Sequence, residues 1–242
     1  MDFRVHNRLP DKENWKTVLQ WLRVGRVINE GASGEEMWIN GYKSYISVYV
    51  HLDQTHVGEE QERQKAKEPY EQNKRDKAQY RKEEGQKLMS EAAALPVVPC
   101  SNPSGIVVFD VETTGLNPEE YDEVLQFSAI DGDGNVLLNT YVHPYIKKDW
   151  YDSTRIHGIT PKMVKEAPRA HDLIPVVRGI FESAELLVSY NGQFDLSFLQ
   201  NWGVECDKPH YDVMVEFAPI YGDWNEYFGD YKWQKLSVCA AY

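Results

Sequence analysis

The chain has 242 residues, of which 42% are hydrophobic and 26% charged, ordinary proportions for a globular protein of one large domain or two small ones. Its formal net charge of −12 lies wholly in the second part: residues 1–104 hold 16 basic and 16 acidic side chains, residues 105–242 hold 10 and 22. A protein that coats nucleic acid through phosphate contacts is basic, so this balance excludes one, and any such partner must be held locally, near one end.

No apolar run is long enough to span a bilayer, and the opening MDFRVHNRLPDKENW has no apolar core of a secretory signal. Cys100, Cys206 and Cys239 are odd in number and far apart. They suggest neither a disulfide framework nor a zinc site and fit a reducing cytoplasm.

Residues 1–57 read as a small α+β module rich in Trp and Tyr. Asp11 is expected to cap a helix through Val24 that Gly25 ends. Val27-Ile28 reads as a short strand, residues 29–34 as a turn, and Tyr42 to Leu52 as a strand. Most of the aromatics are expected in the module's core. The run from Val27 to Gly34 is loosely similar to the glycine-turn region of ArdC-type antirestriction proteins, and that resemblance implies single-stranded DNA binding.

Residues 58–94 are dominated by Glu, Lys, Arg and Gln. They predict a solvated helical spacer, broken or kinked at Pro69. Residues 95–103 form a proline-rich, extended linker, so 58–104 separates the module from a domain over 105–242.

That domain opens with Ile106 to Phe109, a buried-strand pattern. Strands follow at Glu123–Ile130 and Val136–Val142, joined by a turn at Asp131 to Asn135. A helix is expected over Asp172–Ser183, a strand at Leu186–Tyr190, then helices at Gln193–Asn201, Asp212–Ile220 and Lys235–Tyr242. Three strands followed by alternating helices and strands define an α/β fold, a mixed sheet with flanking helices.

The chemistry lies in two segments. In Phe109-Asp110-Val111-Glu112-Thr113-Thr114-Gly115-Leu116, strand parity puts Asp110 and Glu112 on one side. Adjacent carboxylates repel unless a cation neutralises them, and hard divalent ions favour such oxygen ligands. In Ser189 to Leu199 a strand turns into a helix with Asp195 in its first turns. Alone, each has a plain alternative: a solvated strand end, or a helix N-terminal acid stabilised by the dipole.

Together these segments resemble the first two motifs of the DnaQ-like, DEDD 3′→5′ exonuclease superfamily, and the wording resembles its DEDDh branch. Ile156 to Val164 with Ala167-Pro168, and Asp212-Val213-Met214 ahead of Leu236, resemble its connecting regions, so the likeness covers 105–242. It implies a ribonuclease-H-like fold and a two-metal site using Mg²⁺ or Mn²⁺. Asp110 would bridge both ions, Glu112 bind one and Asp195 hold the second. Thr113 and Thr114 would sit near the terminal 3′-hydroxyl, with Gly115 allowing close approach. Leu116 would wedge beside the terminal base, Phe194 form an apolar wall, and Asn191 touch the backbone of the substrate. The implied partner is a nucleic acid 3′ end, DNA ahead of RNA, with a polymerase or another replication or repair protein as a possible companion and no membrane.

His157 is expected to order a loop, and His210 and Asp212 to open a helix. The family's third motif, a His or Tyr base followed by Asp, is not found before Tyr242. The domain is therefore expected to be truncated and to turn over very poorly, since a positioned base is worth about 10²–10⁴ in rate. The alternative reading is a nucleic-acid-binding module without catalysis on the same fold.

Overall fold

The computed structural model describes residues 13–38 and 46–242. The chain forms two units, 1–77 and 78–242.

In the first unit, β1 (Trp15–Lys16), α1 (Val18–Arg23), β2 (Arg26–Ile28), β3 (Glu35–Trp38), β4 (Ile46–His51) and β5 (Thr55–Val57) build two small antiparallel sheets, ordered β1-β4-β3 and β2-β5. The first helix starts later than the sequence suggests. Thr17 caps it, its hydroxyl taking the Gln20 N–H while the Gln20 side chain takes the Thr17 N–H. This reciprocal cap outcompetes a start at Asp11, which lies outside the described residues, and frees Trp15 for a strand. Trp21 is buried and donates its indole N–H to the Val50 carbonyl at 2.9 Å, which makes it core. Tyr42 and Tyr45 also fall outside the described residues.

Helix α2 runs over Glu60–Ala93 with Pro69 inside it. The expected break is absent. The carbonyl that Pro69 leaves unpaired belongs to Lys65, which is exposed, so water can take the lost bond. The stretch 58–104 is not one solvated spacer either, because its residues from Ala78 onward belong to the second unit. Ala92 is buried in that unit's core with Met89 packed beside it. Gly85 lies so near the Tyr145 ring that a Cβ would sit 2.9 Å from it. The Arg178 guanidinium holds the carbonyls of Ala93 and Leu95. A few small residues let this turn of helix approach closely, a signal that composition hides.

The second unit contains β6 (Ile106–Thr113), β7 (Val124–Asp131), β8 (Val136–Tyr141), α3 (Tyr151–His157), α4 (Ala170–Glu182), β9 (Leu186–Ser189), α5 (Gly192–Gln200), β10 (His210–Asp212), α6 (Val213–Tyr221), β11 (Trp224–Asn225), β12 (Asp230–Tyr231) and α7 (Leu236–Cys239). Five strands form one mixed sheet ordered β10-β9-β6-β7-β8. β6, β7 and β8 pair antiparallel, while β9 joins β6, and β10 joins β9, in parallel. This is the ribonuclease-H-like sheet with flanking helices. Its core unites Val107, Phe109 and Val111 of β6 with Ile174, Val177 and Phe181 of α4 and Phe198 of α5.

In the second unit α3, β10 and the β11–β12 hairpin escaped the sequence reading, as did β1, β3 and β5 in the first. His210 therefore sits in a strand, while Asp212 ends that strand and caps α6, its carboxylate taking the Met214 N–H at 3.0 Å. Among the described residues no helix is long and apolar enough to cross a membrane.

Candidate active site

β6 places the first two carboxylates. Val107, Phe109, Val111 and Thr113 are buried and the residues between them are less so, which puts Asp110 and Glu112 together on the opposite face. A register shift between Glu112 and Thr113 then breaks the alternation, so that Thr113 and Thr114 are both buried.

The third carboxylate arrives from α5, which follows the neighbouring strand β9. β9 pairs with β6 only through Val108. Beyond that point the β6 edge needs another acceptor, and Asp195 supplies it: its Oδ1 takes the Val111 N–H at 2.8 Å. Asp195 is only 2% exposed. The turn that delivers it is unusual, since Asn191 has φ +64°, the one positive φ of a non-glycine among the described residues. Asp212 holds that turn, accepting the Asn191 N–H at 3.0 Å and the Gly192 N–H at 2.9 Å. Gly192 has no room for a side chain; a Cβ would lie 1.9 Å from the Ser189 hydroxyl and 2.5 Å from the His210 ring.

The electrostatics of the three acids are those of a crowded anionic corner. Loss of water raises the pKa of Asp110. It also raises that of Glu112, and the Asp110 charge adds to the effect. Asp195 is pushed up to about 7, first by burial and then by the charges of Asp110 and Glu112, against the Val111 hydrogen bond. An all-oxygen set of desolvated acids, in which Asp110 opposes the ionisation of Glu112 and both oppose that of Asp195, suits a hard divalent cation. Among the described residues no three His, Cys, Asp or Glu side chains come together as a group that could hold a metal ion.

The remaining predicted residues fall around this corner. Thr114 donates its hydroxyl to Asp122 Oδ1 at 3.0 Å and takes the Glu123 N–H at 2.9 Å. Thr113 donates to the Gly115 carbonyl at 2.6 Å. A Cβ on Gly115 would meet the Asp122 carboxylate at 2.4 Å, so glycine is required for packing beneath the loop. Leu116 is 81% exposed and Asn191 is exposed. Phe194 packs on Phe198, ring centroids 5.1 Å apart, at the margin of the core.

His157 accepts the Ile159 N–H on Nδ1 at 3.0 Å, so Nε2 carries the proton and donates to the Thr113 carbonyl at 3.1 Å. Both nitrogens are engaged, and the ring ties α3 to the end of β6. His210 Nε2 is bonded to the Ser189 hydroxyl at 2.7 Å. Sequence reasoning placed Asp212 at the start of a helix and in a connecting region of the family, and gave it no part in holding the Asn191 turn.

A five-stranded mixed sheet with an acidic corner at the ends of its central strands defines a nuclease of the ribonuclease-H-like class. The family described as Exonuclease matches residues 107–222. An uncharacterized exonuclease of Escherichia phage 186 is 32% identical over 147 residues, 56% of this chain and 73% of that protein. The chain thus belongs to the DnaQ-like exonuclease superfamily. A PolC-type DNA polymerase III of Thermotoga maritima is 31% identical over 117 residues, 45% of this chain and 8% of the polymerase. A DNA polymerase III subunit epsilon of Rickettsia felis is 30% identical over 98 residues, 39% of this chain and 42% of the subunit. The chain spans well under two thirds of these polymerase proteins.

Proposed function

We propose that the second unit hydrolyses the terminal phosphodiester at the 3′ end of DNA, with RNA the lesser substrate, releasing nucleoside monophosphates with the help of divalent metal. The observation that carries this reading is the delivery of buried Asp195 to the backbone of β6 beside Asp110 and Glu112. Asp110, Glu112 and Asp195 would hold Mg²⁺ or Mn²⁺, which supplies charge neutralisation at the phosphate and an activated water. The chain's own groups bind and orient: Leu116 lies exposed where a terminal base can rest on it, and Thr113, Thr114 and Gly115 shape the loop beneath the sugar. Asn191 faces the substrate backbone and Phe194 backs the site. Association with a polymerase or another replication protein, in the cytoplasm, and a separate role for residues 1–57 belong to the same reading. Slow turnover belongs to the same reading, since His157 has both ring nitrogens engaged and His210 has its Nε2 bonded to Ser189, and a positioned base is worth about 10²–10⁴ in rate.

The test pairs two measurements on the full chain. Mn²⁺ binding is followed by electron paramagnetic resonance, and 3′ release is followed on matched DNA and RNA single strands. Binding and slow release, both lost in Asp110→Asn, support the reading. Oligonucleotide binding with no metal affinity would sink it in favour of a non-catalytic binding module.

A further inference from the structure

The hairpin between α6 and α7 is the most aromatic exposed surface of the second unit. Tyr227 is 88%, Phe228 76% and Trp233 65% exposed. Rings this large normally enter a core or an interface, and here they are held outward by a formed tip. The Asn225 side-chain oxygen takes the N–H groups of Tyr227 at 3.0 Å and Phe228 at 3.3 Å. Gly229 turns the chain at φ +66° and donates to the Asn225 carbonyl at 2.9 Å. Trp224 and Tyr231 stack edge to face at 5.0 Å and brace the stem. Lys232 pairs with Asp223 at 3.0 Å, so the stem brings no spare cation from that lysine.

The hairpin is also joined to the candidate active site. The Tyr190 hydroxyl donates to the Gln234 carbonyl, just past the stem, at 2.8 Å. Tyr190 directly precedes Asn191 and the helix that bears Asp195. The acidic balance of residues 105–242, 10 basic against 22 acidic side chains, leaves little capacity to grip phosphates. Ring stacking on bases is the sequence-tolerant alternative.

We infer that Tyr227, Phe228 and Trp233 form a stacking platform for unpaired bases of a nucleic acid strand whose 3′ end occupies the site. This inference rests on the exonuclease reading above. It gives the acidic domain a hold on single strands that does not depend on neutralising phosphates.

The experiment uses the full chain in chelator-containing buffer, so that no strand is cut. A single-stranded 12-mer carrying 5-iodouracil at the second or third position from its 3′ end is photo-crosslinked, and the modified peptides are mapped by mass spectrometry. Cross-links on Tyr227, Phe228 or Trp233 are expected. In parallel, a Tyr227→Leu, Phe228→Leu double variant, which keeps apolar bulk and leaves the Trp224–Tyr231 brace alone, binds a fluorescent dT 12-mer at least about tenfold more weakly, as loss of base stacking requires. Its salt dependence matches that of the unaltered chain. Cross-links confined to residues 1–77, or equal affinity of the two proteins, overturn the platform and leave the metal-binding test of the site standing. A variant that changes only the oligomeric state in light scattering also overturns it, and assigns the rings to a protein interface. A chain that binds neither the 12-mer nor Mn²⁺ overturns the platform and the exonuclease reading together.

Discussion

Three acidic corners of the second unit use their carboxylates in two opposite ways. At the β7–β8 turn, Asp131 takes the N–H groups of Asp133 and Asn135 at 2.9 and 2.8 Å and the Asn135 side-chain amide at 2.9 Å. Those bonds, the Asn135 side chain first, lower its pKa. At the β10–α6 junction Asp212 is equally saturated by three backbone N–H groups. At the end of β6, Asp195 has the Val111 N–H, and among the described residues the carboxylates of Asp110 and Glu112 take no hydrogen bond or ion pair. Acids satisfied by the fold stabilise it. Acids that the fold desolvates and leaves unsatisfied are the ones proposed above to hold metal, and this contrast is a sharper guide to that role than their number.

The largest effect expected from this contrast is at Asp110. Asp110→Asn should lower Mn²⁺ affinity by about 100-fold and reduce 3′ release to background, while its melting temperature holds or rises because a repulsive charge is gone. A clear drop in melting temperature would place Asp110 with the structural acids. Asp212→Ala should do the reverse. Three backbone donors lose an anionic acceptor, which costs about 3 kcal/mol in urea denaturation, and any loss of cleavage follows from a loosened Asn191 turn.

The third prediction concerns pH. In the metal-free fold Asp195 ionises at about 7 in place of 3.8. Between those values the unfolded chain has released a proton that the folded chain keeps, so stability falls as pH rises and levels off above about 7. The urea midpoint measured from pH 4 to 8 in chelator should show this decline, worth on the order of 4 kcal/mol. Asp195→Asn should flatten it, and an unchanged slope in that variant would remove Asp195 as its source. The smallest stability effect is at exposed Leu116: Leu116→Ala should alter the denaturation midpoint by less than about 0.5 kcal/mol while weakening retention of the 3′ terminal nucleotide.

Much of this arrangement was legible in the sequence. Strand parity alone sets Asp110 and Glu112 on one face, and the strand-turn-helix pattern around Asn191 brings Asp195 to the start of α5. The missing parts depend on contacts between distant residues. The acceptance of the Val111 N–H by Asp195 spans 84 positions and arises only because β9 stops pairing at Val108. β10 has three residues and its role as an edge strand leaves no periodicity, so Asp212 reads from sequence as a helix entry and part of a family connecting segment, without the strand or the Asn191 turn. The charged helix concealed its docking because Gly85 and Ala92 carry too little apolar surface to register, although close approach needs small residues there. Pro69 misled because its cost depends on the solvation of one carbonyl, which composition does not report.

The bond between Asp212 and the Gly192 amide also bears on how the molecule ages. Asn191-Gly192 is the dipeptide in which the glycine nitrogen most readily attacks the asparagine side chain, closing a ring that reopens as aspartate or isoaspartate. Isoaspartate would add a methylene to the main chain four residues before Asp195 and throw that carboxylate off the edge of β6. While Asp212 accepts the Gly192 N–H, that nitrogen keeps its proton and its fixed geometry, and attack is slowed. The folded enzyme therefore carries a shield against its own chemical decay, and storage under conditions that loosen the β10–α6 junction would wear out this corner first.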